Sequence, residues 1–75
     1  MELEEFVKNF ADQFEETDAG DITSETQFRD LDDWSSLTGL MIIGMVQDEY
    51  EKQLKANDLK KCITVKDVYN IVKSL

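Results

Sequence analysis

The sequence predicts an all-α fold, a small bundle of three main helices plus one short helix. Apolar residues recur at helical spacing in three separate stretches. No proline interrupts the chain, so nothing forces a break inside those stretches. No stretch alternates apolar and polar residues over the length of a strand. With 75 residues, 41% of them apolar, the chain is long enough for one core and one domain, residues 1–75.

The first stripe is Leu3, Phe6, Val7, Phe10 and Phe14. Its spacing predicts an amphipathic helix over about residues 3–16. Glu2, Glu4 and Glu5 stand at its start, where the helix dipole favours negative charge. Thr17-Asp18-Ala19-Gly20-Asp21 reads as its end and a turn. Residues 21–35 then form a long connection, with Ile22, Phe28 and Leu31 as apolar plugs. Connections of that length are often functional. The second helix is predicted from about Ser36 to Lys52. Gly39, Ile42, Ile43, Val46 and Tyr50 fall on its expected core face. Leu37, Met41 and Met45 fall on the other side, beside Thr38, Asp48 and Glu49. Either loops cover these side chains or they form a contact surface. Asp48, Glu49 and Glu51 crowd the last turn, against the dipole. Lys52 and Lys55 are spaced for i, i+4 pairs with Asp48 and Glu51. A short helical turn is predicted near Asn57–Lys61. A last helix over about Val65–Leu75 follows a Thr64-to-Asp67 capping box. Its buried stripe is Val65, Val68, Tyr69, Ile71, Val72 and Leu75.

The charge excludes several functions. Seventeen acidic residues face eight basic ones, a net charge of −9. Residues 1–51 hold 15 acidic and 2 basic residues, a local −13, and residues 52–75 hold 2 acidic residues and 6 lysines, a local +4. Such a chain lacks the basic surface that nucleic acid requires. Its acidic part suits basic patches on other proteins. No apolar run reaches the roughly 20 residues that would insert into a membrane. Met1 is followed by acids and not by a signal peptide, and Cys62 has no partner for a disulfide. Both fit a cytoplasmic protein. With no histidine and one cysteine, a zinc site and a Ser–His or Cys–His catalytic pair are excluded. A calcium loop from Asp30 fails, because Ser35 stands where glycine is required and Met41 where the bidentate glutamate belongs. Trp34 reads as a packing anchor for the loop, and Cys62 as a small core residue. No residue set for catalysis emerges, and a non-enzymatic role is expected.

The informative stretch is Asp30-Leu31-Asp32-Asp33-Trp34-Ser35-Ser36-Leu37. An acidic loop ends in two serines at the start of an apolar helix. One reading of those serines is capping, since serine accepts a hydrogen bond from the first helical amides. The other is that one hydroxyl carries a covalent group. A phosphate ester there would meet unpaired N–H groups and the positive end of the dipole.

Over nearly its whole length the chain resembles the acyl carrier protein family. The resemblance lies in the acidic charge, the helical spacing, Ile22-Thr23 before Phe28-Arg29-Asp30-Leu31, Ser36-Leu37, Asp48-Glu49-Tyr50 and Ile63-Thr64-Val65-Lys66-Asp67. The family's signature is Asp-Ser-Leu, whose serine takes 4′-phosphopantetheine from coenzyme A. Ser36 aligns with that serine and Leu37 with the leucine. Ser35 stands where the family has aspartate, Trp34 where a smaller residue is commoner, and Thr38 and Met41 where acids are frequent. Asp32 or Asp33 is a candidate for the missing carboxylate.

The resemblance implies that Ser36 holds the 4′-phosphopantetheine arm. The chain would then carry acyl intermediates as thioesters in fatty acid or related biosynthesis, polyketide or secondary-metabolite pathways included. Its partners would be a phosphopantetheinyl transferase and acyl-transferring or acyl-modifying enzymes with basic docking patches, each met by a monomer. The expected docking face is Asp32, Asp33, Leu37, Thr38, Met41, Met45 and Asp48, more apolar than charge steering alone needs. Gly39 and Gly44 thin the second helix. The expected role of Gly44 is close helix contact. The competing expectation is an acidic helical interaction module that keeps the fold without a prosthetic group.

Overall fold

Four α-helices follow one another in the computed structural model, which describes residues Met1–Leu75. They are α1 (Leu3–Ala11), α2 (Ser36–Tyr50), α3 (Ala56–Lys60) and α4 (Val65–Ser74), with one-turn 3₁₀ segments at Ala19–Asp21 and Phe28–Asp30. Three are long and one short, as the apolar spacing predicts. α1 packs on α4 and α2, and α3 bridges α2 and α4. No helix is long and apolar enough to cross a membrane.

An aromatic chain runs through the core. Phe6 sits 5.6 Å from Tyr69 and 6.1 Å from Phe10, ring centre to ring centre. Phe10 is 5.4 Å from Phe28, and Phe28 is 5.0 Å from Trp34. Phe6, Phe10 and Phe28 are fully buried, as are Ile42, Val46, Val65, Val68 and Val72. These side chains come from α1, the connection, α2 and α4, so one core joins the four.

α1 is shorter than its apolar stripe. Regular helix stops at Ala11, but the amides of Gln13 and Phe14 donate three residues back, to Phe10 and Ala11. That tighter turn keeps Phe14 buried. Beyond it, the Glu16 and Thr17 amides donate to the Asp33 carboxylate at 3.0 and 3.1 Å. A distant acceptor claims the amides that would have extended the helix.

The long connection is fixed at both ends of the α3–α4 junction. Val65 and Lys66, in the first turn of α4, donate their N–H groups to the carbonyls of Thr26 and Ser24. Helical amides at that position have no partner within the helix. Arg29 donates to the carbonyls of Leu59 and Cys62, at the end of α3. Ile22 and Phe28 are buried, as plugs should be. The capping box of α4 is formed: the Asp67 amide donates to Thr64 Oγ1, and Asp67 Oδ2 accepts the Thr64 amide at 3.0 Å.

Two details of α2 differ from expectation. It ends at Tyr50 with Glu51 in the left-handed region, at φ 54° and ψ 38°. Lys52 and Lys55 therefore lie past the helix, and Lys52 Nζ meets the Leu75 carbonyl oxygen at 3.3 Å. The predicted helical pairs with Asp48 and Glu51 have no helix to align them. Gly44 makes no close helix contact either. It is exposed, and a Cβ there would meet nothing within 4 Å. Gly44→Ala should stabilise the fold by about 0.5–1 kcal/mol through helix propensity alone, read as a higher urea midpoint.

Candidate functional site

The start of α2 divides its two serines between two roles. Ser35 is the N-cap, with extended backbone, and its Oγ accepts the Thr38 amide at 3.3 Å. Thr38 Oγ1 donates to the Asp33 carbonyl at 3.1 Å, which leaves Ser35 as donor across the 3.2 Å hydroxyl pair. The Ser35 hydroxyl is thus used in both directions. Ser36 is the first helical residue and is exposed. Its hydroxyl takes no part in this network.

Electrostatics at the same point favour an anion. The first turn of α2 contains no acidic side chain, so its dipole is not neutralised locally. Asp33, one candidate for the missing carboxylate, is engaged elsewhere. It accepts the Thr17 hydroxyl and the amides of Glu16 and Thr17. The Thr17 hydroxyl, helped by those amides against some desolvation, holds the Asp33 carboxyl below its ordinary value. Asp32 is exposed.

A depressed value fixes the sign of the pH effect. The Asp33 clamp stabilises the fold above about pH 4, the ordinary carboxylate range, and is lost as pH falls through the folded-state value. Asp33→Asn should lower stability at neutral pH, and the difference from wild type should shrink in strong acid. Urea unfolding across the acid range reads this directly.

The remaining predicted docking residues separate. Leu37 is 66% exposed, Asp48 is exposed and Met41 is half-buried. Thr38 and Met45 are buried, at 7% and 6%, and do not lie on the open side of α2 where the sequence reading set them. Gln13, Glu15 and Glu16, in the segment after α1, flank Leu37, Thr38 and Met41 across a shallow hollow, and Met45 belongs to the buried core cluster. The buried stripe of α2 is Thr38, Gly39, Ile42, Met45 and Val46, with Ile43 and Tyr50 packed at its edges. Cys62 is buried and its thiol donates to the Asp58 carbonyl. Burial pushes that thiol up to about 11, which leaves it protonated and unreactive.

A groove of about 390 Å³ opens beside Ser36, between α2 and α3. Leu40, Ile43 and Leu59 supply its apolar wall, and Trp34 meets Gly39 at its floor. A Cβ on residue 39 would lie 3.4 Å from Leu59 and 3.5 Å from Trp34, ordinary contact distances that an alanine could occupy. Arg29 and Lys60 complete the rim.

The chain matches no known protein family, no curated protein and no solved structure.

Sequence reasoning missed Leu40, Leu59, Arg29 and Lys60. Leu40 and Ile43 were legible, because residues four and seven places after Ser36 share its helix face. Nothing local marks Leu59, Arg29 or Lys60, which reach the groove only through the packing of α3 and the connection.

Proposed function

We propose that this chain is a carrier protein whose Ser36 hydroxyl accepts 4′-phosphopantetheine from coenzyme A. One observation supports the reading most. The hydroxyl of Ser36 is exposed and uncommitted at the first position of α2, while its neighbour Ser35 supplies the cap. Ser35 does here what an aspartate would do at the same place. The departure from Asp-Ser-Leu therefore leaves the helix start intact.

In the transfer, Ser36 Oγ attacks the pantetheine-side phosphorus of the pyrophosphate. One O–P bond forms and one breaks, adenosine 3′,5′-bisphosphate leaves, and the hydroxyl proton passes to the transferase. The amides of Ser36 and Leu37, which have no helical acceptor, would favour a negative charge held at Ser36. The group supplies a flexible arm ending in a thiol, which holds acyl groups as thioesters. The chain itself performs no chemistry and raises the local concentration of the acyl group at each partner.

The partners are a phosphopantetheinyl transferase and cytoplasmic acyl-handling enzymes in fatty acid or related biosynthesis. They would dock through basic patches on Asp32, Asp48, Leu37 and Met41, with no role for the buried Thr38 and Met45. The test is to load the protein from an acyl-coenzyme A and add neutral hydroxylamine. Release of the acyl group with retention of the arm supports the carrier reading. A protein that no transferase loads is an acidic helical interaction module instead.

A further inference from the structure

The groove beside Ser36 has a charge that the chain as a whole does not predict. Acidic residues outnumber basic ones 17 to 8. Yet of the 9 residues that line the groove, the ionisable ones are Arg29 and Lys60. Both are cations.

Arg29 is held in place. Two of its nitrogens donate to the carbonyls of Leu59 and Cys62, the former at 2.6 Å, and its guanidinium lies 5.0 Å over the Phe28 ring. Its partners are neutral carbonyls and not carboxylates, so its charge is not cancelled by them. Guanidinium carries five N–H donors, and those not given to carbonyls stay available. Lys60 closes α3 and is exposed. Leu40, Ile43, Leu59 and the Trp34 indole line the same groove as these cations and Ser36. The arrangement is an apolar trough with positive charge at its rim. It complements a chain that is apolar along its length and anionic at its end.

We propose that the groove receives an acyl group terminating in a carboxylate, with Lys60 and Arg29 as its counter-charges. This rests on Ser36 carrying the arm. An acyl chain ending in a methyl group would leave both cations solvated and gain only the apolar wall. A carboxylate-ended chain of the same length gains the wall and a charge-assisted contact.

Adipyl-coenzyme A and hexanoyl-coenzyme A, whose chains match in length, separate these cases. Each is loaded onto wild type and onto Lys60→Gln, and loading is verified by intact mass. Trp34, the single tryptophan, reports occupancy of the groove by its emission. Hydroxylamine cleavage reports shielding of the thioester. The adipyl group should change Trp34 emission and be cleaved roughly threefold to tenfold more slowly than the hexanoyl group. In Lys60→Gln the difference should shrink, because Arg29 alone remains, and in high salt it should shrink further. Equal behaviour in wild type overturns the proposal. So does a Lys60 dependence already complete in the unacylated arm form, which would assign the cations to the arm's own phosphate. If no adduct forms, the carrier reading fails by itself, and the unmodified protein is titrated with hexanoate and hexanol. A Trp34 response to hexanoate alone, weakened in Lys60→Gln, keeps an anion-ended chain in the groove. Equal responses remove it.

Discussion

Ser36→Ala is expected to abolish the coenzyme-A-dependent adduct while leaving stability within about 0.5 kcal/mol of wild type. Ser35→Ala should do the reverse. The prediction follows from the division of labour at the start of α2. Ser36 makes none of the contacts that hold the helix terminus, so its loss removes only the acceptor oxygen. Ser35 accepts the Thr38 amide and completes the hydroxyl pair with Thr38. Losing that cap should cost about 1 kcal/mol. In a domain of this size that lowers the thermal midpoint by roughly 4–8 °C. The Ser35 variant should still accept the arm, because its exposed neighbour is unchanged. An adduct that survives in Ser36→Ala and vanishes in Ser35→Ala would exchange the two roles. Thermal unfolding and intact mass on the same two samples suffice.

Phe28→Ala should be the most damaging single truncation in the connection. Phe28 is fully buried, touches both Phe10 and Trp34 by ring contact, and lies under the Arg29 guanidinium. Truncating a buried phenylalanine costs about 3–5 kcal/mol. A chain of this length has roughly 4–11 kcal/mol in total, at 0.05–0.15 kcal/mol per residue. Much or all of the stability should go. The change also removes the support under Trp34, which forms the floor of the groove beside Ser36. Urea unfolding at neutral pH measures it. A loss under about 1.5 kcal/mol would mean that the connection does not anchor the fold.

The apolar stripes at residues 3–14, 39–46 and 65–72 made the helices legible, because burial and a 3.6-residue period coincide there. The capping box of α4 was legible for the same reason: its partners are three residues apart. What the sequence hid is long-range. α1 stops early because Asp33, far along the chain, takes the Glu16 and Thr17 amides. Thr38 is turned inward with its hydroxyl on the Asp33 carbonyl, and Met45 joins the common core. A helical wheel drawn for α2 alone has no term for either contact. The site followed the same rule. Ser36 was visible as a hydroxyl at a helix start, but which serine caps and which stays open depends on backbone geometry at Ser35. Arg29 and Lys60 line one groove only after α3 has docked.

Ser36 is proposed to accept a phosphopantetheine group. The most direct measurement is the intact mass of the wild-type protein after incubation with coenzyme A and a broad-specificity phosphopantetheinyl transferase, with the adduct located by fragmentation. One adduct per chain, on Ser36, is expected. Unmodified protein with several active transferases, or an adduct on any other residue, would contradict it.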